Sequence, residues 1–411
     1  MTQNMAMTTL SLLGREALHL GAGAIGALGA IGGSALALVT LFISRRVPHH
    51  RAATSAAWGM GALAVALLVL ASAPSFPVLV AGVLLLGVGG GMAMPGLLNA
   101  VASQAGHQRE RVIALYTVTL SISLAAGPLL ETLVLALAHQ AVRVPYVVFV
   151  VFPLAGAGLA LWVGRERASR PIEEGPAEEP SGSAVVAQLP TGELAAVEPA
   201  KEPGPEGRGA GRARGRSGLL ATRSGQIALV TELLYGVPFA GITVFGALVA
   251  RVGFGFSPAK AQLGFTVFFV ASFIARGAVA WRAPIVRKRS LLTLAALLTG
   301  GGLLLLGLGP GSWALFLAMG LLGIPHGLTF PLALALVAEA TPLEDLPRAN
   351  ASLLGSGNML SVIVPLVLGG VIPEIGYRYT TLVMLGPVLV FTAVYLVLAA
   401  RRPARAAQVS P

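Results

Sequence analysis

The sequence predicts an all-α membrane protein made of two pseudo-symmetric six-helix bundles. Hydrophobic residues make up 55% of the 411-residue chain, charged residues make up only 11%, and the mean hydropathy is +0.81. Soluble globular proteins carry about 25% charged residues, so this composition indicates an apolar solvent. The apolar stretches are long enough to cross a bilayer, and landmarks of the first half of the chain recur in the second half.

Eleven apolar stretches predict eleven complete membrane spans. Five precede residue 165 and six follow residue 224. They run over residues 20–44, 53–73, 77–102, 112–137, 144–164, 225–250, 261–281, 291–309, 312–338, 350–372 and 379–400. We therefore expect an N-terminal bundle over residues 1–164 and a C-terminal bundle over residues 218–400, joined within one bilayer.

The segment 165–217 between the bundles is rich in Pro, Gly, Glu and Ala, and it holds nine of the 17 acidic residues. Such a composition cannot bury a core, which predicts a disordered linker. A regulatory docking role for it is the less favoured alternative. Residues 401–411 form a short polar tail.

The positive charges of the loops predict the orientation. Loops on the side of the linker and the tail carry ten basic residues, whereas the opposite loops carry five. Because positive charge resists translocation, the linker and the C-terminus are expected in the cytoplasm, and the protein in the plasma membrane. The net charge of +11 is thus a topology signal, and we expect no nucleic acid partner.

An internal repeat supports the two-bundle prediction. The loop "RVPHHR" recurs as "RAPIVR", and "LLGVGGGMAMP" recurs as "LLGIPHGLTFP", both 236 positions later. Arg111 precedes Pro128 by seventeen positions, and Arg348 precedes Pro365 by the same distance. Repeated bundles in one orientation are typical of transporters and require an even number of spans in each half.

The beginning of the chain departs from this pattern. The repeat pairs the span at 225–250 with the short stretch "MTQNMAMTTLSLL", which as a helix reaches only about 20 Å. We therefore expect an N-terminal stub, the outer end of an incomplete first span, and a true start at least ten residues earlier. A signal peptide is the alternative, but no basic region precedes Met5 and no cleavage site follows.

These patterns resemble the major facilitator superfamily, whose members have two six-helix bundles and basic loops after the second and eighth helices. The loops are similar to the signature G-x-x-x-D-R-x-G-R-R of that family. The resemblance implies cytoplasmic gate loops at Arg46, Arg51, Arg282 and Arg287. The acidic position of the signature is Arg45 in one half and Trp281 in the other, so the Asp-centred salt bridge of the family cannot form as usual.

A second resemblance concerns "AAGP", which is similar to the Gly-Pro core of the fifth-helix motif of exporters in the family. The glycines expected after it are replaced by Leu130 and Glu131. The residues expected to serve helix kinks and packing are Gly127, Pro128, Pro331 and Pro365.

Few carboxylates lie within the predicted spans, and charges are costly there, which suggests that they have a use. Asp345, the only aspartate, lies in a loop, and the glutamates within spans are Glu131, Glu232 and Glu339. Glu131 follows Pro128 by three positions, so both share one helix face. Proton coupling or cation binding is one interpretation of Glu131, and a buried hydrogen bond to a Thr or Ser is the other.

Other polar residues of the spans also have two interpretations. Glu232 would line the cavity or form a bridge with Arg223 or Arg276, and Arg276 itself could extend to the interface. His326 lies near the midplane, where it would carry a proton or bond a carbonyl that a nearby proline leaves free. Asn358 is a candidate for substrate contact or for packing between helices.

The predicted function is secondary active transport of a small, amphiphilic organic solute, with proton coupling, and with export slightly favoured. "GAGAIG" opens a span, where its glycines serve close packing, and no nucleotide motif occurs. We expect a monomer without cofactor. The chain has no cysteine, which excludes a Cys-based metal site, and its six scattered histidines and single aspartate argue against a metal site or a membrane enzyme. The alternatives are a permease subunit energised by a separate ATPase, and a truncated product that is inactive in transport.

Overall fold

The computed structural model describes residues 2–43, 47, 51–102, 109–169, 220, 222–282, 288–341 and 346–400, and within these ranges the chain is helical with no strand. The helices of the first half are α1 (Thr2–Leu12), α2 (Ala22–Leu38), α3 (Ala52–Ser72), α4 (Phe76–Ala102), α5 (Arg109–Leu137), α6 (Val144–Phe149) and α7 (Val151–Ser169). Those of the second half are α8 (Arg223–Leu248), α9 (Pro258–Arg282), α10 (Lys288–Leu308), α11 (Gly311–Ala340) and α12 (Leu346–Ala400).

Ten helical segments in the described part of the chain are long and apolar enough to cross a membrane. The last of them, Ser352–Ala400, contains Gly376 at φ 80° and ψ 163°, a backbone conformation that ends a right-handed helix and that glycine adopts freely. Residues 346–375, here α12a, and residues 377–400, here α12b, are therefore two successive helices. The eleven predicted spans are accounted for in this way.

The span predicted at 144–164 is divided at Val150 into α6 and α7. Pro153 has no backbone N–H, so the carbonyl of Phe149 loses its usual intrahelical partner and the helix is interrupted there. The pieces still form one apolar crossing, Val144–Arg165. Helix α7 ends at Ser169, five residues beyond the predicted domain boundary at 164.

The helix boundaries repeat with the spacing that the loop motifs predicted. Helix α3 begins at Ala52 and α10 at Lys288, and α2 begins at Ala22 and α9 at Pro258, with 236 positions between the members of each pair. The π-helical turns Leu13–Ala17 after α1 and Val249–Gly253 after α8 have the same spacing. The repeat therefore extends to local irregularities of the backbone.

Three helix pairs make the most extensive contacts between the two halves: α1 with α8, α2 with α12a, and α5 with α9. Helices α3, α7, α10 and α12b lie outside these contacts, and their large apolar side chains are exposed as a lipid-facing surface requires. Examples are Trp58, Leu68, Leu154, Trp162, Leu297 and Leu389. We call the end of the molecule at which α1, α3, α5, α8 and α10 finish the turn end, and the opposite end the linker end.

The described residues next to the predicted gate loops lie at the linker end. Arg51 directly precedes α3 and is exposed, and the backbone of Arg282 ends α9. Arg46, Arg287, the predicted linker over 170–217 and the tail lie outside the described residues.

Candidate functional site

Helices α2 and α12a meet through glycines. A Cβ atom at Gly26 would collide with the carbonyl oxygen of Pro365, and one at Gly33 would lie 3.0 Å from the carbonyl oxygen of Ser361. Gly369 faces the backbone of α2 in the same way. The two backbones thus approach directly, which is the close-packing role predicted for the glycines of "GAGAIG".

Helix α5 turns one face toward the interior. Ser121, Gly127, Pro128 and Glu131 on that face are buried, whereas Leu129 on the other side is 52% exposed. The spacing of three and four residues places the buried groups on one stripe of the helix. Glu131 therefore shares the face of Pro128, as predicted.

Glu131 is completely buried between α5 and α1. The hydroxyl of Thr9 donates a hydrogen bond to its Oε1, and Oε2 has no partner among the described residues. On the same side, the Tyr146 hydroxyl donates to the carbonyl oxygen of Ala6 at 3.0 Å, which ties α6 to α1. A buried hydrogen bond to a Thr or Ser was one of the two interpretations made from the sequence. The unpaired Oε2 is compatible with the other, in which Glu131 binds a proton or a cation.

Glu232 points from α8 toward α12a, and its Oε1 lies 3.0 Å from the position that a Cβ atom of Gly357 would take. Asn358 follows Gly357 and is partly buried. The carboxylate Oε2 of Glu232 is buried without a partner among the described residues. Glu131 is fully buried and Glu232 partly buried, and each keeps one carboxylate oxygen without a partner among the described residues.

The predicted bridges of Glu232 to Arg223 or Arg276 are wrong. Arg223 instead donates to the carbonyl oxygens of Leu398 at 2.7 Å and Ala399 at 2.8 Å, because its position at the start of α8 faces the end of α12b. Arg276 is partly buried and reaches the other half of the molecule. Its Nη1 donates to Ser121 Oγ of the other half at 3.3 Å.

His326 on α11 has a side-chain partner, so the predicted bond to a proline-freed carbonyl is wrong. Tyr235 Oη lies 2.6 Å from His326 Nδ1, and the imidazole stacks on Phe239 with ring centres 4.6 Å apart. Phe268 and Phe269 of α9 complete the aromatic surroundings, at 5.3 and 5.7 Å between ring centres. Tyr235 was missed from the sequence, although it lies three positions after Glu232 on the same helix.

The prolines predicted to serve helix kinks and packing lie inside three different helices. Pro331 lies in α11 five residues after His326, Pro128 in α5, and Pro365 in α12a at the contact with α2. Thr132 donates to the carbonyl oxygen of Pro128 at 2.8 Å.

Polar contacts between the halves also occur at the turn end. Arg251 Nε donates to Glu16 Oε1 at 2.7 Å, and the backbone N–H of Ala259 donates to Gln140 Oε1 at 2.9 Å. We call the first pair the turn-end latch. The other ion pair within the described residues, Lys288 with Glu339, lies inside the second half near the linker end. Neither ion pair was predicted.

The described residues contain no group of three or more His, Asp or Glu side chains placed to hold a metal ion. The described interior offers one fully buried carboxylate, one partly buried carboxylate, an imidazole paired with a phenol, and a guanidinium. These groups can exchange protons and bind polar solutes.

Comparison with known proteins agrees with this architecture. The family profile described as Major Facilitator Superfamily matches residues 1–245 and, a second time, residues 228–411. No curated protein sequence is significantly similar to the chain.

Three solved structures illustrate the similarity of fold. A point mutant of the nucleoside transporter NupG has a TM-score of 0.66 at 14% identity, over 97% of this chain and 96% of that one. A bacterial homologue of the human lysosomal transporter Spinster, in an inward-facing and occupied conformation, has a TM-score of 0.66 at 13% identity, over 98% and 96% of the two chains. The human organic anion transporter MFSD10 has a TM-score of 0.55 at 17% identity, over 96% and 97%.

Proposed function

Since the chain belongs to the major facilitator superfamily, we propose that it is a secondary active transporter that moves a small organic solute across the membrane by alternating access. The cycle would alternate between opening at the turn end and opening at the linker end. Both halves lie in one chain, so a monomer suffices for this cycle.

The observation that carries the coupling proposal is the environment of Glu131. Its side chain is fully buried, and only one carboxylate oxygen is hydrogen bonded among the described residues. A charged side chain is costly in such surroundings, so its retention favours a use in ion coupling. A proton is the ion we propose, because a carboxylate that touches a single hydroxyl offers too few ligands for a metal cation.

The contacts between the halves support a state closed at the turn end. The turn-end latch, the bond from Ala259 to Gln140 and the contact of Gly26 with Pro365 and Gly369 lie toward that end. We place the linker end on the cytoplasmic side of the plasma membrane because the loops of that end carry more positive charge. The Gly127-Pro128 element on the buried face of α5 supports export of the solute.

Proton coupling can be tested with purified protein in proteoliposomes that contain a pH-sensitive dye. Amphiphilic solutes would first be screened for a rise in the melting temperature of the protein, and those that bind would be tested for solute-dependent proton flux. We expect Glu131→Gln to lower that flux at least tenfold and to leave solute binding measurable. Glu374→Gln is the matched control, because Glu374 is an exposed carboxylate near Gly376.

Undiminished proton flux in Glu131→Gln would overturn the assignment of Glu131. Solute movement that requires ATP and a co-purifying ATPase would overturn the proposal of a secondary transporter and favour a permease subunit.

A further inference from the structure

Arg276 is a cation in the membrane-spanning part of α9 for which the described residues provide no carboxylate. Its Nη1 donates to Ser121 Oγ at 3.3 Å, and its Nε is buried without a partner. The ion pairs within the described ranges are Glu16 with Arg251 and Lys288 with Glu339, both near helix ends. A partly buried charge in the membrane-spanning region is destabilising when it lacks a counter-ion, so an anionic partner would stabilise this guanidinium.

The geometry of the Arg276 guanidinium group indicates which kind of anion it would bind. Its planar arrangement of N–H donors matches a carboxylate, which it binds through two parallel hydrogen bonds. The only described bond of the Arg276 side chain is the one to Ser121, and it is long for a hydrogen bond to a hydroxyl. Donors of Arg276 therefore remain for a ligand that enters between the halves.

An aromatic surface lies beside this cation. Helices α9 and α11 pack closely at Gly327, where an added Cβ atom would lie 3.1 Å from the backbone nitrogen of Arg276. His326 precedes Gly327, and Arg276 lies close enough to His326 and Tyr235 to act on both electrostatically. The stacked rings of His326 and Phe239 are both partly exposed inside the molecule, which offers a flat apolar face next to the charge.

We propose that the transported solute is an organic carboxylate with a flat apolar body, whose carboxylate is bound by Arg276 and whose body lies against Phe239 and His326. This substrate class rests on the proposed function as a transporter.

Three probes of nearly the same shape test the proposal on the full-length wild-type protein: phenylbutyrate, its neutral amide and phenylbutylamine. Binding is measured by titration in detergent micelles and by the shift of the melting temperature. We expect phenylbutyrate to bind at least roughly tenfold more tightly than the amide, and the amine to bind most weakly. Equal or weaker binding of the carboxylate, including no binding of any probe, overturns the proposal.

Variants of Arg276 locate the binding of the carboxylate. We expect Arg276→Gln to weaken phenylbutyrate binding at least tenfold and to leave amide binding within twofold, and Arg276→Lys to give an intermediate result. Ser121→Ala, which removes the described partner of Arg276 and keeps the cation, should leave the preference for carboxylate over amide intact. The preference is measured on wild type, so a variant that fails to fold does not remove the test.

The two proposals can fail separately. Proton-coupled uptake of a neutral or cationic solute, with no preference for carboxylates, would support the proposed transport function and contradict the proposed substrate class. The opposite outcome is tight carboxylate binding that Arg276→Gln abolishes, in a protein that moves no solute in proteoliposomes. It would support the carboxylate site at Arg276 and contradict the proposed transport function.

Discussion

Arg143 and Arg378 make the same pair of contacts in the two halves of the molecule. Arg143 donates to the carbonyl oxygens of Ala71 at 2.9 Å and Ala73 at 2.8 Å, at the end of α3. Arg378 donates to Gly307 at 3.0 Å and to Gly309, at the end of α10. The accepting residues are 236 positions apart, so the repeat preserves a side-chain function as well as helix boundaries.

The two arginines should stabilise their halves similarly. Each satisfies two carbonyl groups that the end of a helix leaves unpaired, and a hydrogen bond from a charged group contributes about 1.5–3 kcal/mol. We expect Arg143→Met and Arg378→Met each to lower the free energy of unfolding by about 2 kcal/mol, measured by thermal unfolding in detergent micelles. Arg15→Met, which removes an exposed arginine of the same end, should have little effect. A loss at only one of the two positions would show that the contacts are not equivalent.

The turn-end latch should control which end of the molecule is open. The side chains of Arg251 and Glu16 are 42% and 26% exposed, so their ion pair contributes only about 0.2–1 kcal/mol. We expect Glu16→Arg to open the turn end and to raise the labelling rate of a cysteine placed at Val244, which packs against Gly29, by roughly twofold to fivefold. The natural chain contains no cysteine, so a membrane-impermeant maleimide would report this site alone.

Charge reversal of both partners provides the control for the latch. The double variant Glu16→Arg with Arg251→Glu restores an attractive pair and should return the labelling rate toward that of the parent. If the double variant labels as fast as the single one, the ion pair does not hold this end closed.

The helices and the repeat could be predicted because both depend on local sequence. A span is recognised by its apolar length, and the equivalent starts of α3 and α10 follow from motifs that lie next to them in the chain. The close contact at Gly26 was predictable for the same reason, since a series of glycines within a span has few other uses.

Pairings between distant residues could not be predicted in this way. Nothing in the local pattern around His326 indicates Tyr235, 91 positions away, as its partner. For Glu131 the kind of partner was predicted, but its identity as Thr9 depends on how α1 packs against α5. The bridges expected for Glu232 failed because Arg223 and Arg276 have closer acceptors on other helices.

The glycine contact between α2 and α12a predicts opposite effects for two similar substitutions. Gly26→Ala places a methyl group against the backbone of Pro365, which cannot rotate away, so we expect a loss of about 1–3 kcal/mol in the free energy of unfolding. Gly370→Ala in α12a meets nothing within 4 Å, and its higher helix propensity should stabilise the protein by up to about 1 kcal/mol. Thermal unfolding of both variants measures the difference. A Gly26→Ala variant as stable as wild type would disprove the close approach.

Thr8 and Thr9 are adjacent, buried threonines that differ in one contact, and this makes them a matched pair for testing the Glu131 site. The Thr8 hydroxyl bonds only to carbonyl oxygens of its own helix, those of Asn4 at 3.1 Å and Met5 at 3.0 Å. The Thr9 hydroxyl also contacts Glu131 of α5. Thr9→Val should cost about 1–3 kcal/mol in the free energy of unfolding, because it leaves the buried carboxylate with no described partner, and Thr8→Val should cost less than about 0.5 kcal/mol.

A double-mutant cycle separates this contact from general packing in α1. The combination of Thr9→Val with Glu131→Gln should differ from the sum of the single effects by at least about 0.5 kcal/mol, because the two side chains interact directly. The same cycle with Thr8→Val should be additive. Additivity in both cycles would mean that the bond between Thr9 and Glu131 does not stabilise the protein.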